Sequence, residues 1–137
     1  MLTEHQEQSM LITWARTTES HWPELALLHA IPNGGWRHKA TAGRLKAEGL
    51  KPGVPDLCLP VPRGQWAGMY IEMKSKKGRV RQSQKWWLDQ LNAQGYRAVV
   101  CRGFASAVDV ITEYLTAEER DETEETHHYY DKCGNRL

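Results

Sequence analysis

At 137 residues the chain suits one domain with a single core and is too short for two ordinary domains. Lys and Arg (18) nearly balance Asp and Glu (17), so net charge by itself selects no class of partner. Three cysteines without CxxC spacing argue against a disulfide framework, and neither a bilayer-length apolar run nor a signal-peptide start is visible, so a soluble, cytoplasmic protein is expected.

Thr3-Glu4-His5-Gln6 fits a capping box, in which the Thr3 hydroxyl takes a free backbone N–H and Gln6 reaches back; a helix is expected to start there. Leu11, Ile12, Trp14 and Ala15 give it an apolar stripe. It should fade before His21-Trp22-Pro23, because proline disfavours helix at the residue before it. Glu4 and Gln8 then lie one turn apart on one face. Leu25 to Ile31 is apolar enough to end in a short strand, and Pro32-Asn33-Gly34-Gly35 must turn sharply, since Gly and Asn tolerate positive φ. Arg37, His38, Lys39, Arg44 and Lys46 follow in a helix or ordered loop ending at Gly49. These five read as phosphate contacts.

Chemistry is most concentrated between Gly53 and Lys74. Asp56 opens the apolar run Leu57-Cys58-Leu59, and the turn-rich Pro60 to Trp66 segment returns the chain so that this run pairs antiparallel with Met69 to Lys74. Strand alternation sends Met69, Ile71 and Met73 to a core while Tyr70, Glu72 and Lys74 share the other face. The pairing brings Asp56 close to Glu72. Two carboxylates converging beside a lysine make a site for a hard divalent cation, which takes one or two carboxylates plus waters and phosphate oxygens.

Lys76, Lys77, Arg79 and Arg81 then place four positive charges just beyond that strand, in a loop able to track a nucleic-acid backbone. A helix is expected from Gln84 to Gln94, with Trp87, Leu88 and Leu91 on one side and Gly95 as its stop. Trp86 falls outside the stripe, free to stack on a base or fill a subunit interface. Tyr96 to Cys101 reads as a buried strand and Ala105 to Leu115 as a final helix with Ala107, Val108, Ile111 and Leu115 inward; Cys58 and Cys101 pack in the core. The order α-β-α-β-β-α-β-α gives an α/β domain with a central mixed sheet flanked by helices. Beyond Thr116 the composition turns acidic, so residues 117–137 are expected to form a flexible tail or a short solvated helix. His127, His128 and Cys133 in it lack the fourth ligand that a zinc site needs.

Pro55-Asp56, a gap, then Glu72-Met73-Lys74 resembles the signature of PD-(D/E)xK nucleases. Gly53 to Asp56, Glu72 to Lys74, Gly78 and Gln84 together resemble the VRR-NUC branch, in which a Gly-x-Pro-Asp strand pairs with a Glu-x-Lys strand and is followed by a glycine and a helix opening with glutamine. The likeness runs from about Glu4 to Leu115 and is closest to small stand-alone phage-type members, which also share the Pro-Asn-Gly turn; such a member would act in the cytoplasm of a bacterial host. It implies a single restriction-endonuclease-like domain over residues 1–116. It also implies that the first helix supplies a glutamate to the metal site, Glu4 by position with Glu7 as the substitute, directly or through water. Gln84 would orient the substrate or Lys74, and Asn33 would sit at the edge of the cleft. Where the family often has Ser at the N-cap of the later helix, this chain has Arg81, which weakens the cap and shifts the expected start by a residue or two.

Charge distribution supports that reading. Between Gly35 and Arg102 there are fourteen Lys or Arg against four acids, with one against four before and three against nine after. A basic middle around an acidic site is what a phosphate-backbone ligand requires. The expected activity is hydrolysis of DNA phosphodiesters with Mg2+ or Mn2+ on Asp56, Glu72 and the Met73 backbone carbonyl, and with Lys74 orienting or deprotonating the attacking water. Related domains act on branched DNA, and resolution of a four-way (Holliday) junction would need two sites and so a homodimer, with Trp36, Trp66 and Trp86 as candidate interface residues. The alternatives are an inactive nucleic-acid-binding module on the same fold, and a plain α/β domain in which Glu72 and Lys74 form only a surface ion pair.

Overall fold

The computed structural model describes residues 1–32 and 39–119, with only the backbone of residues 39 and 40 in the second stretch. Helix α1 (Glu4–Thr18) starts in the expected capping box: Thr3 N–H donates to Gln6 Oε1 at 2.9 Å and Gln6 N–H to Thr3 Oγ1 at 3.1 Å. A 3-10 turn (Pro23–Leu27) leads into the two-residue strand β1 (His29–Ala30). Helix α2 (Lys39–Ala47) is closed by Gly49 at φ +104°. Strands β2 (Leu57–Leu59) and β3 (Met69–Lys74), helix α3 (Gln82–Ala93), strand β4 (Arg97–Arg102) and helix α4 (Phe104–Thr116) complete the order read from the sequence.

One mixed sheet runs β1-β2-β3-β4, antiparallel through β3 and parallel between β3 and β4. The parallel pair needs a crossover, which α3 supplies. On one face Leu57, Leu59, Met69, Ile71 and Met73 pack with Leu11 and Ala15 of α1 and with Ala107, Ile111, Tyr114 and Leu115 of α4. Tyr70, Glu72 and Lys74 project from the other face, and Gln84 of α3 meets Glu72 there. The outer edge of β4 is covered locally by Asn92, whose side chain donates to Ala98 O at 2.9 Å and accepts from Ala98 N–H at 3.1 Å. This mimics a neighbouring strand.

One feature differs from expectation. Helix α3 begins at Gln82, two residues early, because Gln84 Oε1 accepts the Arg81 N–H at 2.8 Å and supplies from inside the helix the cap that Arg81 cannot. The described chain stays docked past Thr116: Gly64 N–H donates to Glu118 O at 2.8 Å, and buried Arg63 lies 3.5 Å from Glu24 and 3.9 Å from Glu119. The rest of the acidic tail, with His127, His128 and Cys133, falls outside the described residues, as do Asn33 and Arg37 to His38. Among the described residues no helix is long and apolar enough to cross a membrane.

Candidate active site

The hairpin register pairs Leu57 with Ile71, so one residue further on Asp56 stands across from Glu72. Asp56 is held there by its Oδ2, which accepts the Met73 N–H at 2.8 Å, while its own carbonyl accepts from Ile31 N–H at 2.8 Å. Glu72 hydrogen-bonds Asp56, its Oε1 accepts from Gln84 Nε2 at 3.0 Å, and Lys74 Nζ lies 3.6 Å from the same oxygen. The side chains of Lys74 and Glu72 are only 8% and 4% exposed. That burial removes the surface-ion-pair reading, since an exposed pair of this kind is worth little and needs no such enclosure.

Burial first, and then the negative charge of Asp56, push the Glu72 carboxyl up to about 8, against the pull of the Lys74 ammonium; Glu4 adds a smaller push. The carboxyl is therefore biased towards its protonated form when nothing else neutralises the pair.

Glu4, Asp56, Glu72, Lys74, Arg81 and Gln84 line one cleft of about 290 Å³. A second cleft shares Glu4 and Asp56 and continues past Gln8 and Met73 to Pro32. Glu4 arrives from α1 by donating nothing and accepting the Ser75 N–H on its Oε1 at 3.2 Å. Its neighbour Glu7 is committed elsewhere. Helix α4 opens on Gly103, which has no capping side chain, and Glu7 Oε2 accepts the Phe104 N–H instead. On the far wall Gly53, at φ +87°, brings the β2 approach so near α3 that an added Cβ would stand 2.6 Å from the Ser83 carbonyl.

Among the described residues no three His, Cys, Asp or Glu side chains converge closely enough to hold a metal alone. The donors that do converge, two adjoining carboxyls whose mutual repulsion raises one of them, suit a hard divalent cation that keeps several waters.

The sequence profile of the VRR-NUC domain matches residues 2–105. The chain belongs to the VRR-NUC domain family. A solved structure described as a VRR_NUC domain protein is similar to it at 28% identity and TM-score 0.76, covering 90% of this chain and 97% of that one. No curated protein matches the sequence. The VRR-NUC assignment carries a nuclease-type fold, here a four-stranded mixed sheet between helices.

Of the candidate residues of this VRR-NUC domain, Glu4, Asp56, Glu72, Lys74 and Gln84 meet in the cleft and Met73 adjoins it. Gln84 is bonded to Glu72 rather than to Lys74. The basic run divides: Arg81 lines the cleft, whereas Lys76, Lys77 and Arg79 face a separate concavity. Arg44 and Lys46 lie on exposed α2 outside both clefts, Arg44 3.9 Å from Glu48; Lys39 is known only by its backbone in α2. Trp66 is half-buried under Arg97 and beside Tyr114, while Trp86 is 57% exposed; Trp36 falls outside the described residues. Sequence reasoning missed Ser83 and Arg102. Neither carried a signal in its own segment, since the close approach of Gly53 places Ser83 and the pairing of β4 with β3 places Arg102.

Gly53→Ala should destabilise the protein by about 1–3 kcal/mol, since backbone rather than a yielding side chain blocks the new methyl. Chemical denaturation measures it, and a neutral effect would contradict the close approach. Glu72 gives a pH test. Its folded-state carboxyl is raised from 4.5 to about 8, so the stability this proton contributes is fully present below about 4.5 and is lost as pH climbs towards 8. Metal-free protein should therefore melt progressively lower over that window. Glu72→Gln should flatten the profile; identical pH profiles for the two proteins would refute the assignment.

Proposed function

We propose that this VRR-NUC domain is a divalent-cation-dependent deoxyribonuclease that cuts phosphodiesters within branched duplex DNA. The observation that carries the reading is the Asp56–Glu72 carboxyl pair held beside buried Lys74 in one cleft. Asp56, Glu72 and the Met73 carbonyl would hold Mg2+ or Mn2+, with Glu4 added through water. When bound, such a cation lowers the pKa of a water and offsets charge on the scissile phosphate.

The chain's own groups do the rest. Gln84 donates to Glu72 and fixes which way its carboxyl points, so it is a positioning residue. Lys74 stands within reach of a phosphate oxygen in the cleft and either accepts the proton of the attacking water or balances the charge that gathers on phosphorus as the new P–O bond forms and the ester P–O bond breaks. Arg81 and the N-terminus of α3 add positive charge at the cleft mouth, which favours an anionic strand. A four-way junction needs two symmetric cuts, and the described residues of each chain form one such cleft. Its resolution would take a twofold dimer, for which exposed Trp86 is the candidate contact.

Lys74→Ala should slow single-turnover cleavage by roughly two orders of magnitude or more while Mn2+ affinity, read by titration calorimetry, stays within a few-fold. Lys74→Arg should not restore the rate, because an always-charged planar guanidinium differs in reach and cannot deprotonate water. Asp56→Asn and Glu72→Gln should abolish metal-dependent cutting with folding retained. Wild-type rates in either carboxylate variant would sink the metal assignment. Cleavage of linear, flap and four-way substrates, beside solution mass, tests the substrate and the dimer.

A further inference from the structure

Beyond the turn that follows β3 lies a second concavity of about 420 Å³, lined by Lys76, Lys77, Arg79, Lys85 and Arg102. No carboxylate among the described residues lines it. The five cations come from three places in the fold: the turn and its exit, the first turns of α3, and the end of β4. Only the first three are close in sequence.

The concavity is built rather than incidental. Arg102 pairs in register with Lys74 across the parallel strands, and its Nη1 donates to Ser75 O at 3.0 Å and to Gly78 O at 2.7 Å. The turn is thereby pinned to the end of β4, with Gly78 N–H closing it onto Ser75 O at 3.1 Å. Glu4 holds the other side of the same turn through Ser75 N–H. Because the carbonyls of the turn are taken by one guanidinium nitrogen, its Lys76 and Lys77 side chains are presented from a fixed backbone. An arginine carries five N–H donors, and these bonds use Nη1 alone.

Placement relative to the cleft bears on what the concavity would hold. Lys74 and Lys76 are two residues apart, roughly 7 Å along an extended chain, and Gln84 of the cleft is followed directly by Lys85 of the concavity. Arg81 stays on the cleft side. A polyanion with regularly spaced charges that enters the cleft meets this second group of cations next, and five exposed positive side chains around one concavity sum to a positive potential that attracts it.

We propose that the concavity is a phosphate subsite for the DNA strand leaving the cleft, with Lys85 as a contact residue and Arg102 as the positioning residue that fixes the turn. The proposal rests on the nuclease reading for the identity of the strand. It divides the basic segment after β3 into two stations, one at the scissile phosphate and one at a neighbouring phosphate, so the substrate must continue past the cut.

The test uses the full chain carrying Glu72→Gln, without divalent cation, so that binding of a fluorescent DNA duplex is read without cleavage. Adding Lys85→Ala, at an exposed helix position, should lower the slope of log affinity against log salt by about one unit. Adding Arg16→Ala, on the exposed side of α1, should leave the slope unchanged. Duplexes carrying a neutral methylphosphonate at one linkage at a time should lose affinity at a linkage flanking the cut, and the Lys85→Ala protein should be insensitive at that linkage alone. Arg102→Lys keeps the charge but loses the guanidinium that bonds the carbonyls of the turn; it should weaken binding while leaving the salt slope within a fraction of a unit. A wild-type slope and methylphosphonate profile for Lys85→Ala would overturn the subsite even if the enzyme cuts DNA. If the slope and profile change as stated but no divalent cation supports cutting by the unmutated protein, the subsite stands and the nuclease reading falls.

Discussion

A buried carboxyl and a buried ammonium, Glu72 and Lys74, with half-buried Asp56 against them, set the constraint on which the rest of the site depends. Such a group is costly to bury unless each polar atom is answered. Asp56 is answered by the Met73 N–H, and Glu72 by the Gln84 amide, by Lys74 and by Asp56 itself. The Asp56–Met73 bond also ties the side-chain site to the backbone register. A slip of one residue would turn Ile71 and Met73 towards α3 and Glu72 into the core, so the register that buries the apolar face is the one that assembles the cleft.

Three tethers then position what surrounds the pair. Gly53 lets the approach to β2 touch the backbone of α3 at Ser83, which brings Gln84 within bonding range of Glu72. Glu4 reaches from α1 to the first residue after β3, and Glu7, one turn on, caps α4. One helix thus fixes both the turn beyond the site and the helix that covers the core beneath it. Helix α1 is a wall of the cleft because it is a clamp between two other elements.

Much of this was legible because it follows from period and register. The alternation of Met69 to Lys74, the antiparallel return through Pro60 to Trp66 and the convergence of Asp56 on Glu72 all follow from a strand's two-residue period, and all hold. The depth of the site did not follow: alternation put Glu72 and Lys74 on the face away from the core, but only the crossover helix α3 decides that this face is enclosed. The start of α3 was misplaced because the cap comes from Gln84 within the helix, a side chain whose other end holds Glu72. Arg102 was invisible as a site residue because its role depends on the parallel pairing of β4 with β3, a contact between residues far apart in the chain. The split of the Lys76 to Arg81 run, likewise, depends on where α3 begins.

The charge pattern along the chain acquires a direction once folded. A phosphate approaching Asp56 and Glu72 is repelled by them at short range, so attraction must come from cations near enough to act within a screening length of about 8 Å. Lys74, Arg81 and the five-cation concavity provide it from one side of the pair. The acidic end of the chain begins elsewhere. Arg63 and Gly64, which engage Glu119 and Glu118, lie in the connection that precedes Met69, while the cleft lies at the Lys74 end of the same strand. Glu72 is three residues along that strand from Met69, about 10 Å, more than one screening length. The described start of the acidic segment is therefore anchored where its charge has little effect on a phosphate at the cleft, and the basic surface beside the carboxyl pair keeps its field.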